Sequence, residues 1–322
     1  MKTACIIGSQ GQDGQLLWNL LQSRNYRLIG VGFQEVRARD TIWTESVNIL
    51  DREEVLHLIE KVRPDEIYYL AAKHQSSQDI ASENLGYYRE TFDINVNGLA
   101  HFLEAILMTQ SGSKLFYASS SHVFGSQIFG QPLETPQVET TAYHPESIYA
   151  ISKVTGTHLC RLYRQKHGVF ASVGILYNHE SSLRKDSFLS KKIVTSALRI
   201  QNGHQKKLIV GNLSTQVDWG YAPDYVEAMH LVLNLKDADE FIIASGKTHS
   251  VADFLEVVFS SLGLDWRVYV EEDRRILTRQ EGARVGDFSK LKQATGWTPQ
   301  TSFEEMVKQL LKSEERLMTA VE

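Results

Sequence analysis

The sequence predicts an α/β protein built on a doubly wound parallel sheet, with a smaller α/β lobe formed by the C-terminal part of the chain. Three observations support this fold class. Short apolar runs alternate with amphipathic helical segments through the first half of the chain. A glycine-rich turn follows the first apolar run, and the alternation loosens into polar loops from about residue 178 onward. Strands that alternate with helices at this spacing are typical of βαβ units with helices on both faces of the sheet.

Each strand is predicted from a short apolar run, and each helix from apolar residues that recur three and four positions apart. The predicted strands are residues 3–7, 27–33, 66–71, 114–118 and 169–176. The predicted helices are residues 15–23, 51–62, 95–107 and 147–167. We expect the strand-like run 240–244 and the helical segment 223–235 to return to the main sheet.

The composition excludes several classes of protein. The 322 residues are 42% hydrophobic, which is enough to bury a large core. Two cysteines exclude a disulfide framework and a cysteine-rich zinc module. A net charge of -5 and a pI near 6.1 predict no nucleic-acid partner, and no run reaches the length of a membrane span. Because the first residues run directly into a strand, we expect no signal peptide and a cytoplasmic protein.

The glycines of the first turn indicate a dinucleotide site. Gly8, Gly11 and Gly14 lie between the first strand and the first helix. Glycines there permit a tight turn and let backbone amides approach a pyrophosphate at the helix N-terminus. The sequence therefore predicts a Rossmann-type NAD(P)-binding domain over residues 1–177, with returning segments at about 213–248. Residues 178–322 would form most of an interleaved substrate lobe at the carboxyl edge of the sheet.

The end of the second strand leaves the choice between NAD and NADP open. An acidic residue there would bind the ribose of NAD, whereas an arginine would meet the 2′-phosphate of NADP. The strand ends with neither residue in place. Glu35, Arg37 and Arg39 lie just beyond it and suit either cofactor or a solvated loop.

Tyr149 and Lys153 are the candidate catalytic pair. Residues four apart share a face of a helix, so the phenol and the ammonium point the same way. A neighbouring ammonium favours the phenolate and makes the tyrosine a usable base near neutral pH. Ser120, in a serine run directly after the 114–118 strand, can reach the substrate oxygen.

These motifs resemble those of extended short-chain dehydrogenases/reductases, and more narrowly of the GDP-mannose 4,6-dehydratase family. The broader resemblance rests on the glycine loop, the serine run, the Tyr149–Lys153 spacing and Asn95-Val96-Asn97-Gly98. The narrower one rests on Gly11-Gln12-Asp13-Gly14, Arg63-Pro64-Asp65-Glu66-Ile67-Tyr68, Asn178-His179-Glu180-Ser181, Gly211-Asn212-Leu213, Asp218-Trp219-Gly220, Asp224-Tyr225-Val226-Glu227-Ala228-Met229 and Thr248-His249-Ser250-Val251.

The resemblance implies a mechanism with a tightly bound, recycled nicotinamide cofactor. The family's tyrosine removes the O4 proton of a GDP-hexose while the C4 hydride passes to the cofactor. The 4-ketone then acidifies C5–H, a glutamate removes that proton and helps to expel water from C6, and the hydride returns to C6. By position, Tyr149 is the base, Lys153 its activator and ribose clamp, and Ser120 the counterpart of the family's threonine.

The family's glutamate is replaced by His122. An imidazole with an ordinary pKa near 6.5 can remove a proton beside a ketone and can protonate a departing hydroxide. The substitution can equally abolish elimination and leave only redox chemistry at C4, or leave a polar residue without a proton-transfer role. The sequence leaves these three alternatives open.

Other departures from the family concern nucleotide recognition. The arginines that grip the NADP phosphate stand here as Phe33 and Gln34, and the arginine before Asp-Trp-Gly is Val217. Of the two arginines after Asn-His-Glu-Ser, only Arg184 keeps its charge. The C-terminal Arg-Pro-x-Glu region is shifted by about one residue, which leaves Arg279 to hold a phosphate or a ribose.

The motifs and the family resemblance give candidate contact residues for the cofactor and for the substrate. The predicted cofactor contacts are Gly8, Gln10, Gly11, Gln12, Asp13, Gly14, Asn48, Ile49, Leu70, Ala71, Ala72, Tyr149, Lys153 and His179. The predicted substrate contacts are Lys73, Ser121, Asn178, Glu180, Arg184, Lys192, Gly211 and Arg279.

Three further side chains carry open alternatives. His179 and Glu180 either shape and bind in the sugar-nucleotide pocket or act as an acid/base pair. His74 either lines the cofactor cleft or packs within its loop. Because no histidine shows metal-ligand spacing, we predict no metal.

The leading function is therefore C4 oxidation of a GDP-hexose followed by loss of water to a 4-keto-6-deoxy sugar. One alternative is a C4 dehydrogenase, epimerase or reductase that does not eliminate water. Another is a non-catalytic NAD(P)-binding regulator. The resemblance implies a homodimer through the 95–107 and 147–167 helices, with a tetramer as the alternative assembly.

Overall fold

The computed structural model describes residues 1–32, 36–38, 46–74, 84–128, 131–132, 135–276 and 283–319. Within these ranges the strands are β1 (Thr3–Ile7), β2 (Arg27–Val31), β3 (Val36–Ala38), β4 (Glu66–Tyr69), β5 (Lys114–Ser120), β6 (Gln127–Ile128), β7 (Gln131–Pro132), β8 (Ala171–Leu176), β9 (Asn178–Glu180), β10 (Leu208–Val210), β11 (Gln216–Tyr221), β12 (Glu240–Ile243), β13 (Thr248–Ser250) and β14 (Val270–Glu272).

The helices of the described ranges flank these strands. They are α1 (Gln12–Ser23), α2 (Arg52–Val62), α3 (Leu85–Phe92), α4 (Gly98–Thr109), α5 (Ile148–His167), α6 (Leu189–Gln201), α7 (Ala222–Leu233), α8 (Val251–Ser261), α9 (Trp266–Tyr269), α10 (Ser289–Thr295) and α11 (Phe303–Thr319).

The central sheet confirms the predicted fold class. Seven strands of the described chain lie in the order β12-β8-β5-β4-β1-β2-β3. All neighbours are parallel except β3, which pairs antiparallel with β2 at the edge. Strand β2 ends at Val31, two residues before the predicted end at Phe33, which lies outside the described residues. Strand order reverses between β1 and β4, so a crevice opens at their carboxyl ends.

Both faces of the sheet are buried, which explains the continuous apolar strand runs. Cys5 and Ile7 of β1 pack with the layer that contains α2, α4 and α5. Ala4 and Ile6 point to the other face and pack with α1 and α7. The alternation along one strand therefore divides the core into two layers around the sheet.

The helix predicted over residues 95–107 begins earlier than expected. It starts as α3, passes through a π-helical turn at Asp93–Asn97 and continues as α4. Asn95 in this turn is fully buried, and its side chain donates to the Ser152 hydroxyl (2.9 Å) while accepting from the Lys73 amide (2.9 Å). The turn thus fastens α5 to the segment that follows β4.

A second group of elements forms its own core at the carboxyl edge of the main sheet. Strand β9 pairs parallel with β11, which pairs antiparallel with β13, and α6, α8 and α11 pack together. The chain passes between the two groups repeatedly, since β8 and β12 belong to the main sheet while β9 and β13 follow them. No helix in the described part of the chain has the length and apolarity needed to span a membrane.

Candidate active site

The glycine loop after β1 is held tightly against β4. Gly8 adopts φ +90°, and a Cβ on it would lie 2.8 Å from the Ala71 amide nitrogen. A Cβ on Gly14 would lie 2.3 Å from the Gly8 carbonyl oxygen. Gly11 is the N-cap of α1, and no side-chain hydrogen bond caps the first amides of this helix. Such an N-terminus is suited to a phosphate group.

A cleft of about 520 Å³ opens beside this loop and contains the predicted catalytic residues. Its wall combines the ends of β1, β4, β5 and β8 with the loop that leads to α6. The residues in the wall are Gln10, Gly11, Gln12, Asp13, Leu70, Ala72, Lys73, His74, Ala118, Ser119, Ser120, His122, Tyr149, Lys153, Leu176, Tyr177, Asn178, His179, Leu183, Arg184, Lys185, Ser187 and Phe188.

Tyr149 and Lys153 lie on the first turns of α5, as their spacing predicts. The Ser147 hydroxyl accepts from the Ala150 amide and caps the helix at this end. The Lys153 ammonium lies 5.6 Å from the centre of the Tyr149 ring and donates to the Ala118 carbonyl (2.8 Å). The pair is therefore fixed to the end of β5.

The charge of Lys153 differs from the sequence-based expectation. The residue is 1% exposed, and burial lowers the pKa of its ammonium to about 7. Burial thus favours the neutral form of this side chain over the charged form, relative to an exposed lysine. A phenolate beside it would favour the charged form, because opposite charges stabilise each other.

Ser120 and His122 follow one another where β5 turns into a 3-10 helix (Ser121–Phe124). The Ser120 hydroxyl accepts from the His122 amide at 3.3 Å, which orients the turn. The His122 ring meets the Tyr149 ring edge to face, with centres 6.0 Å apart. The serine, histidine and tyrosine thus face one region of the cleft.

His179 and Asp13 connect the substrate side of the cleft to the glycine loop. His179 Nε2 lies 2.9 Å from Asp13 Oδ2, and its Nδ1 lies 2.7 Å from the Tyr177 carbonyl oxygen. Burial opposes charge on both groups, but their mutual attraction and hydrogen bond outweigh it. The pKa of His179 is raised and that of Asp13 is lowered. Because both ring nitrogens face acceptors, this geometry favours the imidazolium form.

A row of rings crosses the cleft beside the catalytic tyrosine. The His74 ring meets the Tyr149 ring edge to face at 4.8 Å, and it stacks on Phe188 at 5.3 Å. The Arg184 guanidinium lies 3.8 Å from the centre of the Phe188 ring. His74 therefore lines the cleft, one of the two alternatives that the sequence left open.

Several predicted contacts lie outside this wall. Gly8, Gly14 and Ala71 lie behind it, where they allow the close packing of the loop. The predicted cofactor contacts Asn48 and Ile49 precede α2, and the Asn48 side chain accepts from the Leu50 amide. The predicted substrate contacts Lys192 and Gly211 lie on α6 and directly after β10, whereas Arg279 is outside the described residues.

Glu180 and Ser121, two of the predicted substrate contacts, lie outside the wall of the main cleft. Glu180 is 3% exposed, and its carboxylate accepts from the Ser190 hydroxyl (2.5 Å) and lies 3.2 Å from Arg184 Nε. It therefore positions the loop before α6 instead of facing the cleft. Ser121 lines a separate small cavity with Asn178, Asp218 and Arg284.

The loop between β9 and α6 supplies wall residues that the sequence analysis did not single out. Lys185, Ser187 and Phe188 line the cleft together with the predicted Arg184. The available signal was a pair of adjacent basic residues, Arg184 and Lys185, two residues beyond the Asn-His-Glu-Ser segment. Among the described residues, no group of three or more His, Cys, Asp or Glu side chains is arranged to hold a metal ion.

The parallel sheet, the glycine loop at α1 and the Tyr149–Lys153 pair on α5 define an extended short-chain dehydrogenase/reductase. A family model described as GDP-mannose 4,6 dehydratase matches residues 5–310. The chain belongs to this family of NAD(P)-dependent dehydratases.

Curated relatives agree with the family model. The chain is 36% identical to GDP-mannose 4,6 dehydratase 2 of Arabidopsis thaliana, over 96% of this chain and 86% of the relative. It is 30% identical to GDP-mannose 4,6-dehydratase of Vibrio cholerae, over 96% of this chain and 93% of the relative.

Solved structures share the fold at lower sequence identity. The structure of RMD from Pseudomonas aeruginosa complexed with NADPH matches with a TM-score of 0.81 and 22% identity, over 98% of this chain and 100% of the other. The dTDP-glucose 4,6-dehydratase of Bacillus anthracis in complex with NAD matches with a TM-score of 0.80 and 20% identity, over 98% and 97%.

Proposed function

We propose that this protein oxidises a GDP-hexose at C4 and then eliminates water to give a 4-keto-6-deoxy sugar nucleotide, with GDP-mannose as the first substrate to test. One observation carries the proposal: Tyr149, Lys153, Ser120 and His122 converge on the cleft that begins at the glycine loop. The family's named relatives support the substrate and the reaction.

The residues of the cleft fit a nicotinamide dinucleotide. The glycines leave no room for side chains between the loop and β4, and the uncapped start of α1 suits a pyrophosphate. Gln10, Gly11 and Gln12 would lie against the phosphates, to which Asp13 would contribute only its backbone amide in the first turn of α1. Leu70 and Ala72 would flank the cofactor, and Lys153 would bind its ribose. When bound, the cofactor accepts a hydride from the sugar and returns it.

Tyr149 removes the O4 proton in the proposed oxidation. Its phenol shares the cleft with the Lys153 ammonium and the Ser120 hydroxyl, so three groups can hold or move this proton. A charged Lys153 lowers the cost of the phenolate, and its contact with the Ala118 carbonyl keeps the ammonium in place.

His122 acts on C5 in the proposed elimination. A ketone at C4 acidifies the proton on C5, and an imidazole is a competent base for such a proton near neutral pH. The ring lies beside Tyr149, so both side chains could contact the same sugar, with O4 at the phenol and C5 at the imidazole. Lys73, Asn178 and Arg184 would contact the substrate from the cleft wall.

A homodimer is the proposed assembly. Exposed apolar side chains lie along the helices that flank one face of the sheet, namely Leu85, Tyr88, Met108, Ile151 and Leu162. An apolar strip of this kind is suited to a second copy of the chain. The cytoplasmic location and the absence of a metal stay predictions, and either NAD or NADP fits the proposal.

The test is incubation of the purified protein with GDP-mannose in deuterated water, followed by NMR. We expect deuterium at C5 and a new methyl signal from C6. Tyr149→Phe should lower the rate by about 100-fold or more, because it removes the base. Turnover of Tyr149→Phe at the rate of the unsubstituted protein would contradict the proposal.

The same spectra separate the alternatives. A 4-ketone that accumulates with reduced cofactor and without a methyl signal indicates a C4 dehydrogenase. This is the second candidate function, because His122 replaces the family's glutamate. An unchanged sugar with cofactor released on denaturation indicates a regulator or another substrate.

A further inference from the structure

The Tyr149 ring has two imidazole neighbours within the cleft. The ring centres of His74 and His122 lie 4.8 Å and 6.0 Å from that of Tyr149, and both rings meet it edge to face. They come from different elements, since His74 follows β4 and His122 follows β5. Two imidazoles, side chains that can both give and accept a proton, therefore lie beside one phenol.

His74 is held in place from the other side of the cleft. Its ring stacks on Phe188 at 25° between planes, and Phe188 directly precedes α6. The amide of Lys73, the preceding residue, is fixed by the buried side chain of Asn95. The imidazole is thus part of a built wall, as a residue with a defined task in the cleft requires.

The proton balance of the elimination requires both a base and an acid. Breaking C5–H places a proton on a base, and the electron pair forms the C5–C6 double bond. The C6–O bond breaks with its electrons on oxygen, and this oxygen needs a proton to leave as water. Meanwhile Tyr149 has gained the O4 proton. An acid beside Tyr149 can give a proton to the oxygen and recover one from the phenol.

We propose that His74 is this acid, a second proton-transfer residue that protonates the oxygen leaving C6, while His122 removes the proton from C5. The proposal rests on the proposed dehydration at the same site. Each group returns to its starting state, because His122, whose N–H exchanges with solvent, gives a proton to C5 as the hydride returns to C6. His74 takes the proton that Tyr149 removed from O4.

The first test is His74→Phe, which keeps a ring against Tyr149 and Phe188 but cannot transfer a proton. We expect formation of the methyl product at saturating GDP-mannose to fall by about 100-fold. Deuterium exchange at C5, measured by NMR, should stay within about threefold of the unsubstituted protein because His122 remains. His122→Phe should abolish this exchange. The matched control is His167→Phe, an exposed histidine at the end of α5, which should change neither rate.

The second test replaces the leaving group. In 6-chloro-6-deoxy GDP-mannose, chlorine replaces the oxygen on C6. Chloride leaves without a proton, so its departure needs no acid. His74→Phe should release chloride from it as fast as the unsubstituted protein, whereas His122→Phe should not. A merely structural role for His74 would slow both substrates equally and would overturn the proposal.

The outcomes distinguish this proposal from the one on which it rests. Methyl product formed by His74→Phe at the unsubstituted rate overturns the role of His74 alone. No methyl product from the unsubstituted protein, with a 4-ketone present, overturns the dehydration and the role of His74 together.

Discussion

His179 and Asp13 form an ion pair that joins β9 to the first turn of α1, with Nε2 2.9 Å from Oδ2. Gln12 lies in the same contact, because its side-chain amide donates to the His179 carbonyl (3.1 Å) and accepts from the Ser181 hydroxyl (2.9 Å). The glycine loop and the start of the substrate side of the cleft are therefore held as one unit.

Breaking this ion pair should destabilise the protein in a pH-dependent way. His179→Gln should lower the free energy of unfolding by about 2 kcal/mol near pH 6, because a hydrogen bond between charged groups is lost. The contribution of His179 is complete below its ordinary pKa of 6.5 and disappears as the pH rises through the raised folded-state value. The Asp13 contribution is complete above 3.8 and disappears as the pH falls through its lowered value.

Denaturant unfolding from pH 4 to pH 9 measures the difference in the free energy of unfolding between His179→Gln and the unsubstituted protein. The gap between His179→Gln and the unsubstituted protein should narrow at alkaline pH. A gap of constant size across this range would show that the imidazolium assignment is wrong. Asp13→Asn should give the same narrowing, because it removes the same pair.

Lys153→Met should separate stability from activity. Burial lowers the pKa of Lys153 from 10.5 to about 7, so the folded protein binds fewer protons than the unfolded chain between these values. The stability of the unsubstituted protein should therefore rise with pH over this range, and the substitution should remove that rise. Turnover should fall by about 100-fold or more. Calorimetry at pH 7 and pH 9 measures the change in stability, and rate measurements give the turnover. A Lys153→Met variant that is strongly destabilised at pH 7 would contradict the expectation about stability.

Gly14→Ala should disrupt the loop, whereas Gly11→Ala should be tolerated by the fold. An added Cβ at Gly14 would lie 2.3 Å from the Gly8 carbonyl oxygen, but at Gly11 the same distance is 3.3 Å. Overpacking of this kind costs about 1–3 kcal/mol and shifts the backbone. Thermal melts and cofactor titration by fluorescence measure the two effects. Equal melting temperatures for the two variants would refute the packing argument.

Asp218→Asn should loosen the junction of three segments. Oδ1 accepts from the amide and hydroxyl of Ser245, and Oδ2 accepts from the amides of Gly246 and Gly286. An asparagine has one oxygen and one NH₂ group, so one of the two pairs of donors would lose its acceptor and face the NH₂ group instead. We expect a loss of about 2–3 kcal/mol in the free energy of unfolding. Asp237→Asn, at an exposed site, is the control and should change stability by less than about 0.5 kcal/mol.

The order of strands and helices could be predicted because it depends on local apolar periodicity. The predicted strand at residues 3–7 and the predicted helix at residues 147–167 match β1 and α5 to within one residue. The π-helical turn at Asp93–Asn97 could not be predicted in this way. Its key contacts, from Asn95 to Ser152 and to Lys73, join residues that are distant in sequence.

The part of the candidate site that depends on local helix geometry could be predicted from the sequence, and the part that depends on tertiary packing could not. The spacing of Tyr149 and Lys153 places them on one helix face, which requires only helix geometry. The lowered pKa of Lys153 depends on tertiary burial, which spacing does not reveal. His74 stayed open because its orientation is set by Phe188, on a loop that enters from the other side of the cleft.

The repeated passage of the chain between the main sheet and the β9–β11–β13 sheet limits how such a protein can be divided. Strand β12 lies beside β8 in the main sheet, although β9, β10 and β11 come between them in the chain. A single genetic crossover at residue 177 would therefore pair the recipient's β8 with a β12 that comes from the donor. Chimaeras that exchange the substrate side of the cleft but keep the recipient's sheet need three junctions, one after β8 and one on each side of β12.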